Sequence, residues 1–270
     1  MSLVTDGQVE VWLREDLGHH DVTNHVAGET EGRLVAKEAG VAAGLDAATA
    51  VFEYLGVVAE PLVEAGDTLA AGDTLLRVEG PARDVLRGER VAVNVAGHAA
   101  GVATRTREAV DAARAVSDGV TIAGTRKTTP GLRGVEKRAI AAGGGDTHRL
   151  DLSHMVMVKD NHVAEMGLEG AVEHFREKAS FATKVEAEVE SPEDGPVAAA
   201  AGADIVLFDN LSPTEVERGV GLLPEGTLAE ASGGITVDDV PDYATTGVDV
   251  ISMGSLTHSA PALDYSFRTG

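Results

Sequence analysis

Val185-Glu-Ala-Glu-Val189, a helical pattern from Pro192 to Ala201 and then Asp204-Ile-Val-Leu-Phe208 form the stretch that decides the fold class. Short β-branched runs separated by helical segments read as βα units of a parallel sheet. The alternation extends in both directions. Upstream lie Val120-Thr-Ile-Ala123 and Met155-Val-Met-Val158, and downstream Thr227-Leu-Ala-Glu230 and Val248-Asp-Val-Ile-Ser252. Further helix candidates are Gly134 to Ala142, Leu168 to Ala179, Pro213 to Leu222 and Val237 to Thr245. Six strands are fewer than the eight of a closed barrel, so the expectation is an incomplete α/β barrel, with an open doubly wound sheet as the alternative.

The first 100 residues read differently, with strands at Gly32 to Glu38 and Thr74 to Val78 and a helix at Leu45 to Leu55. Ala and Val recurring at helical spacing from Val85 to Ala115 predict one or two helices bridging two domains, 1–100 and 101–270, with the extreme C-terminus free to return to the first. Ala65-Gly-Asp-Thr-Leu69 and Ala71-Gly-Asp-Thr-Leu75 repeat a turn followed by a strand. They resemble the hammerhead turns of biotinyl and lipoyl carrier domains, but no Lys lies between them, so the reading is a structural turn.

The chain has 270 residues, 22 Lys+Arg against 44 Asp+Glu and a formal net charge of −22, which excludes binding of nucleic acid or an anionic membrane through bulk charge. With 43% hydrophobic residues it can build a packed core, and with no Cys it has neither disulfide nor thiol nucleophile. There is no apolar run of about 18 residues, and the opening Met1-Ser-Leu-Val-Thr-Asp6 lacks a signal-peptide pattern. A soluble cytoplasmic protein is expected. The bases are mostly Arg, aromatics are 3% and acids are spread along the chain, a composition similar to that of salt-adapted organisms. In molar salt the Debye length falls to about 3 Å, so the acidity reads as solvation rather than as a partner surface.

Against that background, residues 126–159 hold Arg126, Lys127, Arg133, Lys137, Arg138, Arg149 and Lys159 but only Glu136, Asp146 and Asp151. A locally cationic stretch in an acidic chain points to an anion, with structural ion pairs as the bland alternative. Barrel enzymes carry their chemistry at the C-terminal ends of strands. Those ends hold Arg126-Lys127, Lys159-Asp160, Glu188 with Glu190, Asp209-Asn210, Ser232-Gly233-Gly234 and Gly254-Ser255, while His148 and Arg149 follow a Gly-rich loop. Several cations at one mouth favour a ligand with more than one negative group. Glu188 and Asp209 suit a divalent metal or a developing positive charge, or else pair with the cations. The glycine loops suit a phosphate. Gly124-Thr-Arg-Lys-Thr128 is not a complete P-loop, no GxGxxG or HExxH is present, and His19, His20 and His25 have no matching ligand set.

These residues resemble one family nearly end to end. The matching stretches are Glu15-Asp-Leu-Gly-His-His-Asp-Val-Thr23, Gly40-Val-Ala-Ala-Gly44, Glu89-Arg-Val-Ala-Val-Asn94, Thr125-Arg-Lys-Thr-Thr-Pro-Gly-Leu-Arg133, Glu136-Lys137, Gly143 to Arg149, Lys159-Asp-Asn-His162, Leu207-Phe-Asp-Asn210, Glu230-Ala-Ser-Gly-Gly-Ile235 and Gly254-Ser-Leu-Thr-His-Ser259. In this order they resemble the quinolinate phosphoribosyltransferases. The resemblance implies an N-terminal α/β sandwich followed by an incomplete α/β barrel. It also implies phosphoribosyl transfer from 5-phosphoribosyl-1-pyrophosphate to quinolinate, with Mg²⁺ and loss of CO₂. By position it assigns Arg126, His148, Arg149 and Lys159 to the quinolinate carboxylates, joined by Arg90 from a neighbouring subunit of a homodimer or dimer-based oligomer. It sets Lys127 near the pyrophosphate and the reacting centre, Glu188 and Asp209 at the ribose and its metal, and Ser232, Gly233 and Gly254 at the 5′-phosphate. Two positions depart from the pattern: Ala100 stands where Ser is usual, and His20 replaces a frequent Gly. A paralogue specific for nicotinate and a noncatalytic anion-binding protein are the competing readings; turnover of quinolinate separates them.

Overall fold

Thr5 starts the first helix, α1 (Asp6–Leu17), by accepting the Gln8 amide at 3.3 Å, which satisfies one of the donors a helix start leaves orphaned. The computed structural model describes residues 4–270. After α1 come β1 (Glu29–Ala36), β2 (Gly40–Val41), α2 (Leu45–Tyr54), β3 (Val58–Pro61), β4 (Thr68–Leu69), β5 (Thr74–Pro81) and α3 (Ala82–Arg114). Then follow β6 (Thr121–Ala123), α4 (Arg133–Gly143), β7 (Val156–Val158), α5 (Asp160–Met166), α6 (Leu168–Lys178), β8 (Val185–Val189) and α7 (Asp194–Ala200). The chain finishes with β9 (Ile205–Asp209), α8 (Pro213–Val220), β10 (Leu228–Ser232), α9 (Val240–Ala244), β11 (Val250–Ser252), α10 (Ser255–His258) and β12 (Tyr265–Thr269). Contacts divide the chain into two units: one runs to Arg107 and adds Gly134–Gly144 and Ala260–Gly270, the other is Glu108–Arg133 with Gly145–Ser259. Among the described residues, no helix is long and apolar enough to cross a membrane.

In the first unit β12, β1, β5 and β3 pair antiparallel in that order, so the C-terminal strand returns to β1. Leu34 stands opposite Leu76 on one side and Phe267 on the other. Leu34, Ala36, Leu76 and Val78 enter a core with Val51 and Phe52 of α2 and Val85, Ala92 and Ala96 of α3, while Glu31, Arg33 and Arg77 stay exposed. That is the alternation of a sheet covered on one face. The segment expected as one or two helices is a single helix of 33 residues. Helix α4 follows β6 in sequence, inside the portion 101–270, yet packs in the first unit because Val135, Ala139 and Ile140 enter its core. The repeated turns match each other closely. The Gly66 and Gly72 amides donate to Ala42 O at 2.9 Å and Ala36 O at 2.8 Å, and Asp67 and Asp73 accept the Glu64 and Ala70 amides at 2.8 and 2.7 Å.

In the second unit six parallel strands run in the order β6, β11, β10, β9, β8, β7. β11 pairs with β6, and each strand from β7 to β10 pairs with its successor, so only the β6–β7 link of a closed ring is missing. An open doubly wound sheet would reverse its order at a switch point. The cyclic order therefore decides for the incomplete barrel. Val185, Ala187, Val189, Val206, Phe208, Ala229, Ala231 and Ile251 pack with Val172 of α6, Ala198 of α7, Val216 of α8 and Val240 of α9. Phe208 fits because position 219 has no side chain; a Cβ on Gly219 would stand 2.5 Å from its ring. Strand residues alternate between faces, so Glu186 and Glu188, Leu207 and Asp209, Glu230 and Ser232 share the other, inner face. Where barrel interiors are usually filled by branched apolar side chains, this one mixes Met157 and Leu207 with the acids Glu186, Glu188, Asp209 and Glu230 and the hydroxyls of Ser232 and Ser252.

Candidate active site

The C-terminal ends of the six strands surround a cavity of about 530 Å³ within the second unit. After β6, Lys127 N donates to Thr125 Oγ1 at 3.0 Å and Thr257 Oγ1 donates to Lys127 O at 2.6 Å, which fixes the loop carrying Arg126 and Lys127. Lys127 lies along Gly254, where a Cβ would come within 2.9 Å of its Cδ. Asp146 extends the sheet: its amide donates to Ile122 O at 2.8 Å and its carbonyl accepts from Gly124 N at 2.9 Å. That bridge delivers His148 and Arg149 to the cavity.

Two non-glycine residues have positive φ, His148 at 52° and Asn210 at 57° among the described residues, and both adjoin this cavity's strand ends. The left-handed region costs an ordinary residue about 1–2 kcal/mol. Asp146 Oδ1 offsets this at His148 by accepting its amide at 2.6 Å. Asn210 N donates to Ser232 O at 2.9 Å, and its side-chain amide donates to Asp209 Oδ2 at 2.7 Å. Gly233, with φ 97°, must be glycine, since a Cβ would fall 2.4 Å from Asn210 Oδ1.

The floor is made of buried ionisable side chains. Arg149 is 6% exposed, and its Nη2 donates to Met157 Sδ at 2.9 Å. Burial pushes its guanidinium below the usual value, and the Glu186 carboxylate opposes that shift. Glu186 is fully buried with neither oxygen hydrogen-bonded; burial, with the Glu230 carboxylate beside it, pushes it up to about 9. His148 Nε2 lies 3.0 Å from Glu230 Oε2 and 3.8 Å from Glu186 Oε2. Higher on the wall, Lys159 is paired with Glu188.

Arg126, Lys127, His148, Arg149, Lys159, Glu188, Asp209, Ser232, Gly233 and Gly254 all line this cavity. Asp160, Glu190 and Asn210 end strands beside them but do not. Arg90 does not either: it lies on α3 with its side chain 60% exposed, 3.8 Å from Glu89. Glu188 stands opposite Leu207, so Asp209 is two residues further along the neighbouring strand on the same face. Hard carboxylate oxygens on one wall fit Mg²⁺, which takes one or two carboxylates when substrate phosphates and water complete its shell. Among the described residues another grouping joins acids to a histidine: ligand atoms of His148, Glu186 and Glu230 all lie within 4.8 Å of one another. Glu186 and Glu230 received no role from the sequence, although the alternation Val-Glu-Ala-Glu-Val puts Glu186 on the face of Glu188. Met157, Ile235, Ser252, Met253 and His258 also line the cavity without having been foreseen.

Known proteins resemble this chain over nearly its whole length. The quinolinate phosphoribosyl transferase N-terminal domain matches residues 21–100 and the C-terminal domain residues 102–268. The chain is 44% identical over 266 residues to the probable carboxylating nicotinate-nucleotide pyrophosphorylase of Methanothermobacter thermautotrophicus, covering 95% of each. It is 43% identical to the human carboxylating nicotinate-nucleotide pyrophosphorylase, covering 96% of this chain and 90% of the human one. The crystal structure of NadC from Streptococcus pyogenes superimposes with a TM-score of 0.89 at 38% identity, covering 98% of this chain and 96% of that one.

Proposed function

The chain belongs to the quinolinate phosphoribosyltransferase family, and from that premise we infer how its own residues carry out the reaction. It transfers the phosphoribosyl group of 5-phosphoribosyl-1-pyrophosphate to quinolinate and releases CO₂, giving nicotinate mononucleotide and pyrophosphate. The observation that carries the reading is the convergence of Arg126, Lys127, His148, Arg149 and Lys159 on one cavity in a chain of net charge −22. Arg126, His148, Arg149 and Lys159 hold the two carboxylates, guanidinium forks setting the orientation. Met157, Leu207, Ile235 and Met253 supply apolar wall for the ring.

The transfer is dissociative. The bond from C1′ to the pyrophosphate oxygen breaks, its electron pair leaves with pyrophosphate, and positive charge builds at C1′. Glu188 and Asp209 face that charge, while Lys127 faces the leaving group. Ser232, Gly233 and Gly254 hold the 5′-phosphate. The ring nitrogen then gives its lone pair to C1′. In the quaternised ring the bond from C2 to its carboxyl carbon breaks, the pair stays on C2 beside the positive nitrogen, CO₂ leaves and C2 takes up a proton. Glu188 and Asp209 would also hold Mg²⁺, whose chemistry is to neutralise charge on the pyrophosphate.

The working unit on this reading is a homodimer, or an oligomer built from dimers, in which Arg90 of the partner subunit reaches the cavity. The exposure of Arg90 on α3 supports this. The deciding experiment is nicotinate mononucleotide formation from quinolinate, 5-phosphoribosyl-1-pyrophosphate and Mg²⁺, at low and at molar KCl, with nicotinate as competitor. Turnover of quinolinate alone is expected, and activation by salt supports the salt-adapted reading of the acidity. Turnover of nicotinate instead sinks the dicarboxylate assignment.

A further inference from the structure

Glu230 has no part in the reaction as derived above, yet it is built into the floor of the site. It lies on the inner face of β10, 1% exposed, and its Oε2 lies within hydrogen-bond distance of His148 Nε2, at 3.0 Å. A buried carboxylate carries a large desolvation cost that an apolar residue of similar size avoids. The inner face accepts apolar residues, as Leu207 directly opposite Glu230 shows. The other end of His148 is also held: its backbone sits at φ 52° and its amide is bonded to Asp146 Oδ1. A residue kept in a rarely populated backbone region, with both its amide and one ring nitrogen committed, has one orientation. Nδ1 is the ring nitrogen left over from the contact with Glu230.

We propose that Glu230 is a positioning residue for the reaction: by accepting the Nε2 proton of His148 it sets the rotation and tautomer of the ring and so presents Nδ1 to a carboxylate of quinolinate. This rests on the reading given under Proposed function. Glu230 touches no substrate on this account and acts only through His148. Glu186 Oε2, 3.8 Å from the same ring nitrogen, is too far to replace it.

Two measurements test this. The first needs no substrate: the 1H–15N spectrum of the full chain should show a hydrogen-bonded histidine Nε2–H that disappears in His148→Asn, which assigns it, and in Glu230→Leu. The second is a double-mutant cycle on the quinolinate KM. Glu230→Leu should raise it about tenfold with the 5-phosphoribosyl-1-pyrophosphate KM unchanged. Glu230→Gln, which keeps an acceptor oxygen, should recover most of the loss and stands in if the Leu variant fails to fold. In the His148→Asn background Glu230→Leu or Glu230→Gln should change the KM no further. An unchanged quinolinate KM in the Glu230 variant, or effects that simply add, overturns the proposal, as does a Nε2–H signal that survives Glu230→Leu. Wild-type protein that does not turn over quinolinate while the spectral result holds would sink the substrate reading and leave the Glu230–His148 bond standing.

Discussion

The two sheets use the same two-residue alternation for opposite ends. In β1 the inward residues Leu34 and Ala36 are apolar and the outward Glu31 and Arg33 meet solvent. In β8 the apolar Val185, Ala187 and Val189 pack on the surrounding helices, and the acids Glu186 and Glu188 point inward. The first arrangement removes apolar surface from water and leaves its charges hydrated, so nearly every residue favours folding. The second also buries apolar surface, but then places ionisable groups where water cannot reach them. The difference separates a sheet that contributes stability from one that spends some of it on keeping ionisable side chains buried in its interior.

Disrupting the first sheet should therefore damage folding, and altering the second should change chemistry or pH response. The largest effect is expected at Phe52, which is fully buried and stacked on Phe267 with centroids 5.6 Å apart. Phe52→Ala should lower the unfolding free energy in urea by about 3–5 kcal/mol, and a cost below about 1 kcal/mol would show that this core does not carry its unit.

The next effect is in the barrel floor and has a sign. Glu186 titrates near 4.5 when unfolded and at about 9 when folded. Across that window the folded state keeps a proton that the unfolded state has released. Stability should fall as pH rises from about 4.5 to about 9, at most about 1.4 kcal/mol per pH unit. Glu186→Gln keeps a neutral side chain in place and should remove that slope; parallel urea midpoints for wild type and variant from pH 5 to pH 8 would refute it.

At the cavity wall, Arg126→Ala should raise the quinolinate KM at least about tenfold, or about 1.4 kcal/mol, with little change in Tm. An unchanged KM removes Arg126 from the substrate site. Arg90→Ala should behave alike, and mixing the two variants should restore about a quarter of the sites if each dimer shares its residues across a two-fold axis. No recovery after subunit exchange would argue against sharing. The smallest effect belongs to Lys37 and Asp264, an ion pair on the first unit with both side chains about half exposed. Lys37→Ala should cost under about 1 kcal/mol.

Much of this was legible in the sequence because it is local. The β-branched runs gave all six barrel strands to within about two residues, since strand length and flanking turns are set by neighbours. The cations of the site were legible because they break the charge bias of the chain. What was not legible is nonlocal. Strand order, which separates a barrel from an open sheet, depends on pairing between distant segments. Nothing in Val135, Ala139 and Ile140 says which core they enter. β3 went unread because Val58–Pro61 is four residues long and ends on Pro, and β12 went unread although Tyr265-Ser-Phe-Arg-Thr269 alternates aromatic and polar residues. Glu186 was within reach of the alternation, but the bond between Glu230 and His148 joins residues 82 positions apart.

The missing link between β6 and β7 has a mechanical consequence. A closed ring of strands spreads any deformation around its circumference, whereas a split ring opens at the split. One lip is reinforced, because Asp146 bridges to Ala123 at the end of β6. The other is β7, three residues long with β8 as its one neighbour, and it leads directly into Lys159. Breathing of the cavity should therefore concentrate at the lip that leads into Lys159, and the amides of β7 should exchange with solvent sooner than those of β9 and β10, which have a strand on each side.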